Sequence, residues 1–463
     1  MPESDAVFEA KHFGASAIQV EHEGSILKLH RQSEDCLTLN IGFEVKKTNK
    51  KRPVIVIFHH GDFSYGGSAD PLMYFEKLVD EYTDFVGVSI NYRLGIFGFI
   101  DFSEVPGGEN YPDALNLGLL DQIAALTWIK ENISAFGGDP DNITVMGFES
   151  GAISINLLAA CEQAKGLFRK AFIFFGSPDG GYYTPDAARS FAKELLEETE
   201  TKSMDELQRL STEQLKDANQ KIALNRIAPT CDGKLIPVNV FDAYKNGVAD
   251  GIEFIIGIPS HEGSVYKSFI GEENYEKVIS ENIEEILSSY LDADTAAAVR
   301  NYIENQAKNM TELEAKGKFF EQWSALSMYI SAMQLVAGGN KVHLMYWDVK
   351  PLIENLGSGT VDAVSTFFGN SKTAQMYGNV LDPAISEILQ RFLNKFLGGE
   401  SLRLYNNEIK GVKDIDWKKF PYALIVSNKK FKCEPIEDKL NEIDGVLEFM
   451  KKKAQLMRKN KIL

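Results

Sequence analysis

Residues 116–151 read NLGLLDQIAALTWIKENISAFGGDPDNITVMGFESG, and this stretch decides the fold. Residues 117–133 have helical periodicity, because their apolar side chains recur every three or four positions along one stripe. That stripe consists of Leu119, Ile123, Leu126 and Ile133. A β-branched apolar run at 143–146 predicts a strand that ends at Gly147. A second helix is predicted over 150–160, so this strand passes into a helix through only a few residues.

The same alternation of short apolar runs and helical segments continues on both sides of this stretch. Further strands are predicted at 54–58, 85–90, 171–175, 254–258, 341–349 and 423–427. Further helices are predicted near 186–200, 276–290, 312–338 and 380–397. This alternation predicts an α/β fold with a mostly parallel central sheet, flanked by helices and with helical excursions. Because no repeat, low-complexity tract or Pro/Gly-rich linker divides the chain, we predict a single domain over 1–463.

Composition and charge exclude several classes of protein. The chain is 44% hydrophobic and 25% charged, which is typical of a globular protein. Its net charge of −17 repels nucleic acid and anionic membranes, so neither is expected as a partner. No apolar stretch approaches the roughly 18 residues of a membrane span. The N-terminal residues lack the basic and apolar regions of a signal peptide, so we expect a cytoplasmic protein.

The cysteines show neither a CxxC pair nor a spacing typical of metal sites. They are Cys36, Cys161, Cys231 and Cys433. This distribution agrees with a reduced, cytoplasmic setting. We predict neither a bound metal nor a cofactor.

Several sequence blocks in consistent order carry a resemblance to one family. They are SEDCLTLNI at 33–41, NYRLGIFGF at 91–99, residues 116–147 of the opening stretch, APTCDGKLIP at 228–237 and GIPSHEGSVY at 257–266. Over roughly residues 8–450 the chain resembles the type-B carboxylesterase and cholinesterase family, with a shortened N-terminus. The resemblance implies an α/β-hydrolase fold and an ion pair between Arg93 and Asp121. It also implies that Cys36 is a free thiol, since its usual disulfide partner aligns with Ala17.

The resemblance also assigns the family's nucleophile position to a residue of this chain. That nucleophile is the central residue of a G-x-nucleophile-x-G turn, which needs small residues two positions to either side. Gly147 and Gly151 place Glu149 at the nucleophile position, with Ser150 directly after it. A shifted register with Ser150 as nucleophile would put Phe148 where a small residue is required. We therefore predict a carboxylate in place of the serine.

The family's catalytic triad has two further positions, an acid and a histidine, of which one is retained and one is lost. Glu262 matches the family's catalytic acid, which orients the imidazole and stabilises its charge. The histidine position aligns with Thr360, on a loop after the predicted strand at 341–349. After Glu262 the sequence has only His343, which lies inside that strand, so no histidine is expected to take the base position. The resemblance thus implies a degenerate triad with esterase activity absent or trivial.

The segment that supplies the oxyanion hole in the family is altered as well. Relatives carry H-G-G-G-F, in which backbone N–H groups of the middle glycines face the developing charge. This chain reads His59-His60-Gly61-Asp62-Phe63. A carboxylate at Asp62 would repel a tetrahedral intermediate, which again opposes ester hydrolysis.

Two functions are compatible with all of these substitutions. The first is a non-hydrolytic, ligand-binding or scaffolding protein that keeps the former active-site gorge, as in neuroligin-like members. Asp62, Glu149 and Glu262 would make the gorge acidic, so the expected ligand is a cationic or hydroxyl-rich small molecule. The second is an enzyme with altered acid/base chemistry, of the lyase, dehydratase or cyclase type, that uses Glu149 and Glu262. His59 or His60 would lie close by, and we favour these two functions without separating them.

Three further interpretations have less support in the sequence. A carboxylate nucleophile works in dehalogenases and epoxide hydrolases, but as aspartate and with a partner histidine that is missing here. A metal site could draw on suitable ligand types, although their spacing is not diagnostic. Those residues are His60, Asp62, Glu149 and Glu262. An ester hydrolase that acts through Ser150 would need an unrecognised base.

Overall fold

The computed structural model describes residues 9–21, 30–44, 50–71, 74–75, 84–178, 184–223, 227–261, 267, 272–349, 360–376, 382–406, 413–428, 430–440 and 446–448. Within these ranges, nine strands form one sheet, and two short strands form a separate antiparallel ladder. No helix in the same ranges combines the length and the apolar character that crossing a bilayer requires.

The main sheet is largely parallel. The strands of the sheet and of the separate ladder (β8 and β9) are β1 (Leu39–Phe43), β2 (Arg52–Phe58), β3 (Val86–Ile90), β4 (Gly138–Phe148), β5 (Lys170–Phe174), β6 (Glu253–Pro259), β7 (Lys341–Asp348), β8 (Arg403–Leu404), β9 (Ile415–Asp416), β10 (Tyr422–Ser427) and β11 (Lys430–Pro435). Their order across the sheet is β1-β3-β2-β4-β5-β6-β7-β10-β11. The edge pairs β1–β3 and β10–β11 are antiparallel, and all neighbours from β3 to β10 are parallel. The carboxyl ends of the parallel strands therefore meet at one edge, where their loops can form a site.

Helices connect the strands and cover both faces of the sheet. They are α1 (Leu117–Asn132), α2 (Ser150–Ala159), α3 (Pro185–Glu198), α4 (Met204–Leu207), α5 (Thr212–Ile222), α6 (Val240–Lys245), α7 (Glu272–Glu285, followed by a π turn at Ile286–Tyr290), α8 (Ala293–Gln306), α9 (Glu312–Ala337), α10 (Thr360–Phe368), α11 (Ser371–Met376), α12 (Pro383–Gly398) and α13 (Glu437–Leu440). Local sequence explains several ends. A capping box between Thr311 and Glu314 starts α9, while Asp382 and Pro383 start α12. Helix α12 ends at Gly399 in the left-handed conformation.

Alternate residues of the central strands serve two separate apolar cores. Along β2, Val54, Val56 and Phe58 face the first core. Ile55 and Ile57 face the second. Helices α1, α2 and α9 close the first core, and α10 and α12 close the second. A strand buried on both faces reads as a continuous apolar run, which is why the sequence predicts the central strands well.

The prediction of a mostly parallel sheet flanked by helices is confirmed. Each strand that the sequence predicts corresponds to one of β2, β3, β4, β5, β6, β7 and β10, and the largest difference in length is at β4. The sequence does not predict the edge strands β1 and β11, because both are only partly buried and lack a continuous apolar run. All four cysteines are free thiols. The Arg93 guanidinium reaches Asp121 with two hydrogen bonds of 2.8 and 2.6 Å, as the resemblance implies.

Candidate active site

The turn between β4 and α2 carries Glu149 at its apex. Glu149 has φ 52° and ψ −120°, which is a strained backbone conformation for a residue with a side chain. The turn closes this tightly because it is flanked by glycines. A Cβ at Gly147 would lie 2.5 Å from the backbone of Gly151, and one at Gly151 would lie 2.3 Å from the carbonyl oxygen of Phe58. The turn thus presents the Glu149 side chain, 23% exposed, at the carboxyl edge of the sheet.

Ser150 does not share this position. It is the first residue of α2 and is completely buried. Its hydroxyl lies beside that of Tyr92, which donates a hydrogen bond to the carbonyl oxygen of His59 at 3.0 Å. A hydroxyl buried beneath the turn is not placed to attack a molecule above it. The shifted register, with Ser150 as nucleophile, therefore has no support in the geometry.

The loop after β2 contacts the Glu149 carboxylate. Asp62 and Phe63 both have left-handed backbone conformations, with φ 48° and 56°, and they bend the loop sharply. The Gly61 N–H donates to Glu149 Oε2 at 2.7 Å. A backbone N–H in this position could stabilise an oxyanion, but here a carboxylate of the chain itself accepts its hydrogen bond.

His60 lies between two carboxylates. Its Nε2 is 3.1 Å from Asp70 Oδ2, and its Nδ1 is 3.9 Å from Glu149 Oε2. Burial alone would lower the pKa of His60, but the hydrogen bond with Asp70 and the nearby carboxylates outweigh it and raise the pKa to about 9. His60 is therefore an imidazolium at neutral pH. His60 thus lies close to Glu149, as the sequence predicts for His59 or His60. It comes from the loop after β2 and not from the family's histidine position.

The sequence predicts that the Asp62 carboxylate obstructs the oxyanion position, but in the structure the Glu149 carboxylate accepts the hydrogen bond there. Burial, and then the charge of Glu149, raise the pKa of Asp62 well above its usual range, which favours its neutral form. The carboxylate that reaches the Gly61 N–H is that of Glu149. The glutamate side chain is longer than that of serine, so it spans the distance from the turn to the loop.

His59 forms part of the wall beneath the loop. Its side chain is buried and stacks on the Tyr92 ring with 4.2 Å between ring centroids. Its Nδ1 is 2.8 Å from the carbonyl oxygen of His60. Burial lowers the pKa of His59 to about 4. Two adjacent histidines therefore differ in charge at neutral pH, and only His60 faces Glu149.

Of the remaining predicted site residues, Glu262 lies outside the described residues. Thr360 is the first residue of α10 rather than a loop residue. This helix forms because its apolar residues pack into the second core; they are Ala363, Val364, Phe367 and Phe368. The sequence does not point to Asp70 or Tyr92, since no motif links them to Glu149. They join the site only through folding of the loop and of the segment after β3.

Metal ligation has no support in the described ranges, where no three His, Cys, Asp or Glu side chains are arranged to hold an ion. The charged side chains of the site are instead paired with each other. His60 faces Asp70 and Glu149, and Glu149 also accepts the Gly61 N–H.

Comparison with known proteins gives one consistent family. A sequence profile of the carboxylesterase family matches residues 2–428. Para-nitrobenzyl esterase of Bacillus subtilis (strain 168) is 36% identical over 299 residues, which is 62% of this chain and 60% of that protein. Cholinesterase of Mus musculus is 31% identical over 248 residues, 50% of this chain and 40% of that protein. Neuroligin-2 of Mus musculus is 30% identical over 269 residues, 52% of this chain and 31% of that protein. The chain thus spans less than two thirds of the length of each of these relatives.

Solved structures are similar over nearly the whole chain. Carboxylesterase EST55 of Geobacillus stearothermophilus, at pH 6.2, has a TM-score of 0.79 and 26% identity, and the match covers 94% of this chain and 89% of that one. A structure of PNB esterase has a TM-score of 0.75 and 25% identity, with 93% and 88% covered. With its mostly parallel sheet and the strand–helix turn at Glu149, the chain has the α/β-hydrolase fold and belongs to the carboxylesterase family.

Proposed function

We propose that this chain does not hydrolyse carboxylic esters and that the site around Glu149 binds a small molecule instead. The position of Glu149 carries the proposal. Its carboxylate lies at the apex of the turn, where the family's attacking hydroxyl is expected, and it accepts the Gly61 N–H at 2.7 Å. The site therefore lacks a hydroxyl nucleophile at the apex, and its oxyanion donor is already in use.

Electrostatics oppose ester hydrolysis at this place. A tetrahedral intermediate would need the Gly61 N–H for its own oxyanion, so it would develop charge beside the Glu149 carboxylate. Two like charges about 4 Å apart repel by about 4 kcal/mol at the effective dielectric constant of a partly exposed site. That repulsion alone corresponds to a rate reduction of about three orders of magnitude.

The same charges select the ligand. The His60 imidazolium lies closer to Asp70, at 3.1 Å, than to Glu149, at 3.9 Å, and the Glu149 carboxylate is partly exposed, so it can accept further hydrogen bonds from a ligand. A cationic or hydroxyl-rich small molecule would supply donors to Glu149, whereas a carboxylate ligand would be repelled. This ligand class is also the one expected from the sequence.

The absence of ester hydrolysis is tested with p-nitrophenyl acetate and p-nitrophenyl butyrate. We expect wild-type rates no higher than those of a Glu149→Ala variant, because neither protein has an attacking hydroxyl at the turn. Turnover well above background in the wild type that disappears in Glu149→Ala would contradict the proposal.

Ligand binding is tested by thermal-shift screening of amines, sugars and divalent metals. We expect stabilisation by members of the amine or sugar class, and its loss in Glu149→Gln, which removes the charge but keeps the shape. Glu253→Gln is the matched control. Glu253 is 26% exposed and lies 3.8 Å from a histidine, His343, at the other end of the strands, so its substitution should leave the shift unchanged. No shift from any class would contradict a functional pocket.

A further inference from the structure

The two oxygens of the Glu149 carboxylate have different surroundings. Oε2 accepts the Gly61 N–H at 2.7 Å. Oε1 has no hydrogen-bond partner within the described ranges, and the side chain is partly exposed. One oxygen is thus held by an N–H donor of the oxyanion type, and the other can attack an electrophile. If Oε1 were alkylated, Oε2 would become the carbonyl oxygen of an ester that already lies in its oxyanion hole.

The His60 ring is oriented for proton transfer beside this carboxylate. Asp70, which is almost completely buried, fixes the ring through Nε2 at 3.1 Å. The other nitrogen, Nδ1, is 3.9 Å from Glu149 Oε2, which is too long for a hydrogen bond. Its proton can therefore be given to a molecule bound next to Glu149. Nucleophile, proton donor and orienting carboxylate lie together here in the order Glu149, His60 and Asp70.

We propose that Glu149 and His60, positioned by Asp70, hydrolyse epoxides through an ester on Glu149. The inference rests on the proposed function in one respect, because a small molecule must bind beside Glu149. An epoxide fits the groups present, since its carbon accepts carboxylate attack and its oxygen takes up a proton as the ring opens. An alkyl halide would leave as an anion without a proton, so it would make no use of the imidazolium.

The first step forms the ester. Glu149 Oε1 attacks an epoxide carbon, the ring C–O bond breaks with its electron pair on the epoxide oxygen, and that oxygen takes the Nδ1 proton of His60. The products are a hydroxyalkyl ester of Glu149 and a neutral imidazole. The negative charge of Glu149 is lost in this step, so the neutral form of the buried His60 becomes more favourable.

The second step hydrolyses the ester. Neutral His60 takes a proton from water, the water oxygen bonds to the carboxyl carbon of Glu149, and the charge moves to Oε2 at the Gly61 N–H. When the intermediate collapses, the ester C–O bond breaks and the departing alkoxide takes the proton of His60. The new carboxylic acid returns a proton to His60, which restores both groups. Epoxide and water give a diol, and one oxygen of Glu149 now comes from water.

The test uses the full chain, a glycidyl aryl ether as the probe and water enriched in oxygen-18. In the wild type we expect diol, with the heavy isotope in the peptide that contains Glu149. His60→Gln should form diol at least about 100-fold more slowly than the wild type, because it lacks both the proton donor of the first step and the base of the second. Glu149→Gln should form no diol, whereas Glu253→Gln should behave like the wild type. Asp70→Asn should move the pH profile of diol formation to lower pH, since Asp70 raises the pKa of His60.

Two results would overturn the inference. The heavy isotope could appear in the diol alone, which would indicate direct attack by water, or His60→Gln could form diol as fast as the wild type. Failure of the proposed function gives a different signature. Ester turnover or a flat thermal-shift screen contradicts that function, whereas an unlabelled Glu149 with a retained ligand shift overturns only the epoxide chemistry.

Discussion

The turn between β4 and α2 supports Glu149 through the backbone, whereas the loop at 59–70 contacts it through hydrogen bonds and charges. In the turn, close approach fixes the geometry, since added carbon atoms at Gly147 or Gly151 would overlap neighbouring backbone. In the loop, the Gly61 N–H and the His60 imidazolium contribute the contacts. The geometry of the turn therefore depends on the small volume of its glycines, whereas the contacts of the loop depend on the protonation state of its side chains. Substitutions and pH should affect the two regions in different ways.

Gly147→Ala should have the largest effect on folding. The new Cβ would meet the backbone of Gly151 at 2.5 Å, and backbone cannot move aside as a flexible side chain can. We expect the free energy of unfolding to fall by about 3 kcal/mol or more, measured by urea denaturation. Gly166→Ala is the control, because its Cβ would meet nothing within 4 Å and only its left-handed φ of 76° opposes the change. That cost is about 1 kcal/mol, and equal losses for the two variants would contradict close packing at the turn.

The two histidines of the loop should affect the stability of the protein at opposite ends of the pH range. The folded pKa of His60, about 9, lies above the ordinary value of 6.5. Its contribution is therefore complete below pH 6.5 and is lost as the pH rises through about 9. The folded pKa of His59, about 4, lies below 6.5, so its contribution is present above pH 6.5 and is lost as the pH falls through about 4. Each contribution is on the order of 3 kcal/mol at most.

Denaturation of variants of His60 and His59 at several pH values tests these two pH dependences. We expect His60→Gln to flatten the alkaline side of the stability curve and His59→Gln to reduce the slope on the acid side. The acid slope should persist in part, because the pKa of His343 is also lowered to about 4 by burial. An alkaline side that is unchanged in His60→Gln would mean that the ring is not charged between Asp70 and Glu149.

The same contrast explains what the sequence could predict. Gly147 and Gly151 lie at a fixed spacing around Glu149, so a local pattern is enough to place the carboxylate at the turn. Asp70 contacts His60 only because the loop folds back on itself, and its own neighbours in the sequence give no sign of this role. Tyr92 joins the site from the segment after β3, which is distant in the sequence. Long-range ion pairs and hydrogen bonds of this kind depend on the folded chain and have no periodic signature.

Tyr92→Phe should have a smaller effect on stability, and it shows whether the Tyr92 hydroxyl supports the loop or the turn. The substitution keeps the ring that stacks on His59 and removes the hydroxyl that donates to the His59 carbonyl oxygen at 3.0 Å. Because that carbonyl is buried, we expect a loss of about 1–2 kcal/mol in the free energy of unfolding. Amide hydrogen exchange should be faster in the loop at 59–66 and unchanged in α2. Faster exchange in α2 alone would indicate that the hydroxyl supports the turn instead.

Ser150→Ala should have the smallest effect and bears directly on the position of Glu149. The Ser150 hydroxyl is buried beside that of Tyr92 and has no backbone acceptor within the described part of the chain. Its removal should change the free energy of unfolding by less than about 1 kcal/mol, measured by thermal denaturation. Background hydrolysis of p-nitrophenyl acetate should also stay the same, because a hydroxyl beneath the turn cannot reach an ester above it. A loss of hydrolysis in Ser150→Ala but not in Glu149→Ala would place the attacking group at residue 150 and remove the carboxylate from the apex of the turn.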